Sequence, residues 1–206
     1  MNITSKEVYT AIWLSENSTS SKACAYLRSL LPSKVVKSTS GIHKVAIIVG
    51  HNNIAQGAYV KGNIQQSEYK FNGIVADLMV DLVKEDNAIE IKVFRRKYLG
   101  KRQYSAEIKE VYKRVNKWNP EVAMELHFNS LGGACRVEML YYKGSVNSKH
   151  LATIALHHSS MLLHQGINTK LLPRTKNDNG GGSLYYCKSP IVLTEPFDST
   201  CIRHVK

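Results

Sequence analysis

The sequence predicts an α/β domain in which helices cover both faces of a mostly parallel, twisted sheet. Short apolar runs rich in β-branched residues recur along the chain, as is typical of buried strands. Longer segments between them carry apolar residues at three- and four-residue steps, as is typical of amphipathic helices. Strands that alternate with helices in this way indicate βαβ units and hence parallel strands. A short helical N-terminal appendage precedes the alternation.

The first strand and the first helix have the clearest signals. The run at 45–49 is apolar and β-branched and ends at Gly50, which predicts a fully buried strand. After a loop rich in glycine and asparagine, residues 67–85 form the predicted first helix, with Ser67 as its N-cap. The apolar stripe of this helix consists of Phe71, Ile74, Val75, Leu78, Met79, Leu82 and Val83.

The remaining elements continue the alternation. A second helical stripe covers 108–115 and stops before Pro120. A third helix is predicted over 148–165, with Ser148 as its cap and Gly166 as its stop. Further strands are predicted at 89–94, 122–128, 136–142 and 191–195.

The chain divides into two parts near position 44. Residues 1–43 are predicted to form a small helical N-terminal segment and linker, in which "PSKVVKSTSG" at 32–41 is a polar connection. Residues 44–206 contain the regular alternation and form the main domain. Because the first part is more basic than acidic, we expect it either to dock on an anionic surface or to pack on the sheet for stability.

Composition restricts the class of protein. Among the 206 residues, 43% are hydrophobic and 21% are charged, which is close to the globular norm and excludes a disordered chain. No apolar stretch approaches the roughly 18 residues that a membrane span requires. The formal net charge of +12 and the pI near 9.5 predict attraction to polyanions such as nucleic acid, teichoic acid or anionic lipid. The densest basic run, "RRKYLGKR" at 95–102, is interpreted as a solvated face.

Cysteine spacing and the N-terminal residues indicate in which cellular compartment the protein is made. The four cysteines stand at 24, 135, 187 and 201 without a C-x-x-C spacing, so we expect free thiols. The stretch "MNITSKEVYTAIWLSENS" contains Glu7 and Glu16 and has no uninterrupted apolar core, so it does not resemble a signal peptide. We therefore expect a protein that is made in the cytoplasm and either works there or leaves by another route.

Four ionisable side chains fall at the ends of predicted elements. His51 follows the first strand, Glu68 begins the first helix, and His127 and Glu195 end two later strands. Ligands in open α/β sheets bind at the carboxyl ends of strands, so these groups are expected at one edge. Two histidines and a carboxylate with a free position form a catalytic zinc site, and a second carboxylate can carry protons. The alternative is a separate structural or surface role for each residue, because the gaps between them are long.

Four segments around these residues resemble, in order, the motifs of the zinc-dependent N-acetylmuramoyl-L-alanine amidases of the amidase-3 type. They are "VAIIVGHNNIAQGAY", "SEYKFN", "MELHFNS" and "SPIVLTEPF", and the resemblance covers about residues 44–197. Within the family, "ELHFN", "GGGSL" and "TEPF" resemble the branch found in phage and prophage lysis enzymes, the endolysins. The part at 44–206 is accordingly interpreted as a zinc amidase catalytic domain.

The resemblance implies a cofactor and residue roles. His51, Glu68 and His127 are the implied Zn²⁺ ligands, and Glu195 is the implied catalytic acid and base. Arg174, in "PRTKNDNGGGSL", is the implied substrate-binding residue, with an ordinary surface arginine as the alternative.

The resemblance also implies a reaction and partners. The reaction is hydrolysis of the amide between N-acetylmuramic acid and L-alanine in peptidoglycan, carried out on the cell wall after release of the protein. Anionic wall polymers or a membrane surface are further expected partners, while nucleic acid is not expected and the protein is expected to be a monomer.

Two other functions stay open. Another zinc amidohydrolase, such as a carboxypeptidase on wall peptides, would use the same ligands on a different bond and would release free D-alanine. A catalytically inactive protein that binds wall or nucleic acid would lack the metal.

Other polar residues have less specific signals. Glu125 lies two residues before His127 on the same side of a strand, so it either bonds to a metal ligand or serves structure. His150, His157 and His164 repeat every seven residues on one helix, about 10 Å apart, which is too far to share a metal. Core packing or a glycan groove are the alternatives for four tyrosines, Tyr141, Tyr142, Tyr185 and Tyr186.

Overall fold

A six-stranded sheet and a short two-stranded ribbon organise the protein, whose computed structural model describes residues 42–60, 65–132, 135–162 and 168–201. The strand order across the sheet is β4-β1-β5-β8-β6-β7, and the ribbon pairs β2 with β3. The strands are β1 (His43–Val49), β2 (Tyr59–Val60), β3 (Gln66–Ser67), β4 (Ile89–Arg95), β5 (Val122–Leu126), β6 (Arg136–Tyr142), β7 (Asn168–Arg174) and β8 (Ile191–Glu195).

Strand direction divides the sheet into two parts. Strands β4, β1, β5 and β8 run parallel to one another, whereas β6 is antiparallel to β8 and parallel to β7. The predicted α/β class with a mostly parallel sheet is confirmed. One edge of the sheet therefore collects the carboxyl ends of four strands and the amino ends of two.

Four described helices flank the sheet: α1 (Glu68–Val83), α2 (Tyr104–Trp118), α3 (Val146–Leu162) and α4 (Gly181–Tyr186). The Ser67 side chain accepts a hydrogen bond from the Lys70 backbone N–H, so Ser67 is the N-cap of α1 as predicted. Helix α3 begins at Val146, before the predicted cap, and positions 163–165 of the predicted helix lie outside the described residues.

The helices bury the two faces of the sheet separately. Ala46 and Ile48 of β1 pack with α2 and α4 on one face. Ile47 and Val49 alternate to the other face, where they pack with α1. Helix α3 covers the same face farther along, over β6 and β8. The predicted helices on both faces are thus confirmed, and the buried alternation fixes which residues emerge at the strand ends.

The expectation of free thiols is wrong for two cysteines. Cys135 and Cys201 form a disulfide between positions that are 66 residues apart in sequence. The fold brings them together because the segment after β5 pairs with the segment after β8, through a bridge between Asn129 and Asp198. No local spacing could reveal this pairing. Cys187 is a half-buried free thiol, and Cys24 lies outside the described residues.

The N-terminal prediction falls outside the structure for the most part. Residues 1–41 are not among the described residues; of the remaining two, Ile42 directly precedes β1 and His43 is the first residue of that strand. Among the described helices, none has the length and apolar character required to cross a membrane.

Candidate metal centre and active site

The three predicted ligands meet at the carboxyl edge of the sheet. His51 follows β1, His127 follows β5, and these parallel strands are neighbours in the sheet. Glu68 is the first residue of α1, to which the chain returns after the loop beyond β1. One potential ligand atom from each residue lies within 4.8 Å of the others. These three residues therefore form a single cluster, which we call the His-Glu-His cluster.

Glu68 is the centre of this cluster. Its Oε2 lies 3.0 Å from His51 Nε2, and its Oε1 lies 2.7 Å from His127 Nδ1. The backbone N–H groups of Ala58 and Phe128 also donate to its two oxygens, each at 3.2 Å. The carboxylate is only 3% exposed, so these contacts hold it in one orientation.

The backbone around the cluster is shaped for close approach. His51 adopts a positive φ of 64°, which turns the chain sharply after β1. A Cβ on Gly50 would lie 2.4 Å from the His127 ring, and a Cβ on Gly57 would lie 2.6 Å from both Glu68 Oε2 and the His51 ring. Larger residues at these two glycines would therefore displace the side chains of the cluster.

His127 is held from two sides by carboxylates. Its Nδ1 faces Glu68, and its Nε2 lies 3.2 Å from Glu125 Oε1. The hydroxyl of the fully buried Tyr112 donates to Glu125 Oε2 at 2.7 Å. Glu125 thus bonds to a candidate metal ligand, which is one of the two roles expected for it. A metal-ligating histidine commonly has such a carboxylate on its other nitrogen.

The electrostatics of the cluster favour ionised carboxylates around a cation. Burial opposes ionisation of Glu68, but hydrogen bonds and charge from His127 and His51 hold its pKa well below the usual range. Burial likewise raises the pKa of Glu125, but His127 and Arg96 outweigh it and lower the value to about 2. Burial lowers the pKa of His127, yet Glu125 and Glu68 together raise it well above the ordinary value.

The donor set fits a divalent metal ion. The imidazoles of His51 and His127 converge on the ionised carboxylate of Glu68. Two imidazoles and one carboxylate are a typical ligand set of catalytic zinc, in which the fourth position stays open. Without a metal ion, a proton on His127 balances the charge of the two carboxylates that face it.

Glu195 ends β8 at the same edge, but its surroundings differ. Its Oε2 is buried and has no hydrogen-bond partner among the described residues. Burial is the main cause that raises its pKa to about 8; the cationic His127 acts in the opposite direction, and the acidic Glu68, Glu138 and Glu125 add to the increase. A carboxyl with a pKa near neutrality and a free oxygen can both take up and release a proton.

Glu138 is the nearest acidic neighbour of Glu195 in the sheet. The two residues pair across the antiparallel strands β6 and β8. Arg136 Nε lies 3.1 Å from Glu138 Oε1, and Asn129 Nδ2 donates to Oε2 at 3.2 Å. These contacts give both oxygens of Glu138 a partner, whereas Oε2 of Glu195 has none among the described residues.

Arg174 is not brought to this edge. It ends β7, opposite Tyr142, whereas Glu195 pairs with Glu138 four residues earlier in β6. Four residues of strand correspond to about 13 Å, so the backbone of Arg174 lies toward the opposite edge of the sheet. Its assignment to substrate therefore stays a prediction from the resemblance, without support from this geometry.

Sequence reasoning missed a buried network beside His51. Arg96, 4% exposed, donates from Nε to the His51 carbonyl at 3.1 Å and lies 4.0 Å from Glu107 Oε2. Asn52 Nδ2 donates to the same Glu107 oxygen at 2.8 Å, and Asn52 Oδ1 accepts two backbone N–H groups of its own loop. One signal for this network was present in the sequence. Arg96 directly follows a predicted strand, where ligands bind in an open sheet, but the run 95–102 that contains it was interpreted as a solvated face.

The other sequence candidates lie apart from the cluster. His150 and His157 are exposed on α3, and His164 is outside the described residues. Tyr142 and Tyr186 are half-buried against the core under α2 and α4, while Tyr141 packs under α3. Tyr185 is 44% exposed and contacts the rings of Tyr142 and Tyr186. Core packing thus accounts for three of the four tyrosines.

Together, the fold and the cluster define an α/β domain with a candidate metal site at the carboxyl edge of its sheet. The chain belongs to the Amidase_3 family, described as N-acetylmuramoyl-L-alanine amidase, whose profile matches residues 45–197. Membership in this family supports peptidoglycan amidase activity. A search of curated protein sequences found no significant match.

Solved amidase structures share the fold. The CwlD amidase from Clostridioides difficile, solved with the GerS lipoprotein, has a TM-score of 0.63 at 19% identity, over 79% of this chain and 85% of that chain. The catalytic domain of CwlV from Bacillus (Paenibacillus) polymyxa var. colistinus has a TM-score of 0.60 at 18% identity, over 78% and 83%. The catalytic domain of the CD27L endolysin targeting Clostridia difficile has a TM-score of 0.59 at 22% identity, over 78% and 84%.

Proposed function

We propose that this protein is a zinc-dependent hydrolase of the amide bond between N-acetylmuramic acid and L-alanine. The observation that carries the proposal is the partly buried His-Glu-His cluster beside Glu195, whose Oε2 has no partner among the described residues. A ligand set and a proton carrier at one edge of a sheet are the two parts that metal-assisted hydrolysis of an amide requires.

His51, Glu68 and His127 are the proposed metal ligands. Two nitrogens and one carboxylate oxygen suit zinc better than magnesium or calcium, which prefer all-oxygen sites. When bound, zinc supplies a Lewis acid for the scissile carbonyl and acidifies a water molecule. Glu125 fixes the orientation of the His127 ring through a hydrogen bond with His127 Nε2. The Tyr112 hydroxyl in turn fixes the Glu125 carboxylate by donating a hydrogen bond to it.

Glu195 is the proposed proton carrier. Its carboxylate takes the proton from the attacking water as the new C–O bond forms at the lactyl carbonyl. It then gives that proton to the alanine nitrogen as the C–N bond breaks, so the products are a carboxylic acid and an amine, which become a carboxylate and an ammonium group by proton exchange. Burial raises the pKa of this carboxyl to about 8 in the metal-free protein, so the group holds a proton more readily than an ordinary glutamate does.

The biological setting is also part of the proposal. The motifs shared with phage and prophage enzymes support an endolysin-like protein, made in the cytoplasm and acting on the wall after release. The basic surface supports attraction to anionic wall polymers or a membrane surface. Nucleic acid is not proposed as a partner, and the protein is proposed to act as a monomer.

Residues 1–43 are proposed as an attachment segment for the wall. A chain that starts near Ser40 should then cleave a soluble muramyl peptide normally but act more slowly on whole walls. Equal loss on both substrates would instead place the segment in the catalytic part.

Digestion of purified peptidoglycan, with and without a chelator, tests the reaction. New alanine amino termini, identified by mass spectrometry and lost on chelation, are the expected result. Free D-alanine would favour a carboxypeptidase. No new chain ends, in protein that purifies without metal, would favour an inactive binding protein.

A further inference from the structure

A basic pocket adjoins the candidate active site. It has a volume of about 650 Å³ and lies between the loop after β1, the start of α1, the end of β4 and helix α2. A volume in this range accommodates small ligands or a short peptide. Its lining includes Asn53, Ile54, Tyr69, Arg95, Lys97, Tyr98 and Arg114.

The position of the pocket connects it to the His-Glu-His cluster. Asn53 lies two residues after His51, and Tyr69 directly follows Glu68 in α1. Strand β4 is the parallel neighbour of β1, so the end of β4 lies beside His51 at the same edge of the sheet. A substrate held at the cluster can therefore extend into the pocket.

The charge of the pocket is only partly compensated. Arg95 Nη2 pairs with Asp77 at 2.7 Å, but both side chains are substantially exposed, 41% and 64%. Arg114 pairs with Glu110 of its own helix. The exposed Arg95–Asp77 pair contributes little energy and can exchange Asp77 for another anion, whereas the Arg114–Glu110 pair is half-buried. Lys97 is exposed and has no ion pair with any described residue, so it is available to a ligand.

The lining also contains exposed apolar surface. Ile54 is 63% exposed and Tyr98 is 38% exposed, although both lie next to the basic side chains. Apolar contacts beside fixed positive charges suit a short acidic peptide, because such a ligand has both methyl groups and carboxylates. A phosphate polymer would use the charges and leave the apolar surface uncovered.

We propose that this pocket binds the carboxylates of the wall peptide on the alanine side of the scissile bond. The inference rests on the proposed function, in which the cleaved amide joins an N-acetylated sugar to a peptide. The sugar side carries no charge once its lactyl group is in amide linkage, whereas the peptide has free carboxylates. Guanidinium and ammonium groups recognise carboxylates, so the basic pocket identifies the peptide side of the site.

Calorimetric binding of a product peptide tests this subsite without requiring cleavage. The probes are L-alanyl-γ-D-glutamyl-L-lysine and the same tripeptide with its carboxyls amidated. The full-length protein should bind the acidic peptide, and the double variant Arg95→Gln/Lys97→Gln should bind it about 5- to 10-fold more weakly, as expected for two exposed charge contacts. The amidated peptide should bind weakly to both proteins. Lys143→Gln, at the opposite edge of the sheet, is the matched control and should bind like the unsubstituted protein.

Kinetics on a soluble muramyl tripeptide give a second readout. The double variant should have a raised KM and an unchanged kcat, because the contacts are equally present in ground and transition states. Arg96 is left out of the variants because it holds the His51 loop.

Three results would overturn or separate the proposals. Equal affinity of the double variant for the acidic peptide would overturn the subsite. Charge-dependent binding of polyglycerol phosphate, with no change for the peptide, would assign the pocket to a wall polymer and overturn it as well. Lys97-dependent peptide binding without cleavage of any amide would support the subsite and contradict the proposed reaction.

Discussion

Glu68 and Glu195 lie at one edge of the sheet but in opposite electrical surroundings. Glu68 receives two backbone N–H groups and contacts two histidines, and its pKa is held well below the usual range although burial opposes ionisation. Glu195 has a buried oxygen without a described partner, and burial together with acidic neighbours raises its pKa to about 8. The difference separates two tasks. A carboxylate that stays ionised suits a ligand, and one that titrates near neutrality suits a proton carrier.

Removing a ligand should have the largest effect. His127→Ala is expected to lose stoichiometric zinc and, with it, activity by about 1,000-fold or more, since the metal contributes several kcal/mol to the transition state. Elemental analysis and peptidoglycan hydrolysis measure the two effects. His150→Ala, an exposed histidine on α3, is the control. Retained stoichiometric metal in His127→Ala would remove this residue from the ligand set.

Removing the proton carrier should leave the metal in place. Glu195→Gln is expected to bind zinc normally and to lose turnover by roughly 100-fold or more, because only proton transfer is removed. Metal content and kcat, measured on the same preparation, separate the two contributions. Glu90→Gln, on an exposed position of β4, controls for loss of a carboxylate. Wall lysis at the normal rate would show that the acid and base role is wrongly assigned.

Breaking the disulfide should affect stability more than chemistry. Cys135→Ser/Cys201→Ser is expected to lower the free energy of unfolding by about 2 to 4 kcal/mol, because the bridge restricts the unfolded chain. Urea unfolding, with Cys187→Ser as the variant that keeps the bridge, measures this loss. A reductant should produce the same decrease in the unsubstituted protein and none in the double variant.

Weakening the support of His127 should produce an intermediate effect on metal affinity. Glu125→Gln keeps the shape but removes the charge facing His127 Nε2, and a loss of this kind typically costs about 10- to 100-fold in affinity. Competition with a chromophoric chelator measures the zinc Kd. Tyr112→Phe, which removes only the hydroxyl that donates to Glu125, should have a smaller effect in the same direction. Unchanged affinity in both variants would make Glu125 purely structural.

The smallest expected effect, for a change of one pH unit, is on the pH dependence of stability without metal. Between the ordinary pKa of a glutamic acid and about 8, the folded state keeps the Glu195 proton that the unfolded chain has lost. The free energy of unfolding should therefore fall as pH rises through this range, by at most about 1.4 kcal/mol per pH unit for one proton. Glu195→Gln should reduce the slope in urea titrations from pH 5 to 8, and the part that remains includes the contribution of His127, whose pKa is also raised. An identical slope in both proteins would contradict the raised pKa.

The parts of the site that could be predicted are those whose sequence signals lie within a few residues of each other. His51, Glu68 and His127 each stand directly beside an element with a strong apolar pattern, so their shared edge followed from the α/β class. Strand β7 was missed because its sequence, "NTKLLPR", is half-exposed at the sheet margin and lacks a buried pattern. The six-residue α4 was missed because it is too short for a helical stripe.

Non-local contacts explain the rest. The Cys135–Cys201 bridge joins positions 66 residues apart, and no spacing motif encodes it. The network of Arg96, Glu107 and Asn52 likewise requires the packing of β4 and α2 against the loop after β1. Strands β6 and β7 run antiparallel to the other four strands, so the end of β7, with Arg174, lies away from the edge that holds the His-Glu-His cluster. A β7 parallel to those four strands would have placed Arg174 at that edge.

The disulfide also gives the molecule a particular covalent connectivity. Residues 135–201 form a closed ring that contains β6, α3, β7, α4 and β8, and hence Glu195, whereas His51, Glu68 and His127 precede the ring. One protease cut within the ring leaves a single connected molecule, while one cut before it separates a fragment that carries metal ligands. On a gel, fragments nicked within the ring should therefore separate only after reduction, and those cut earlier in the chain should separate without it.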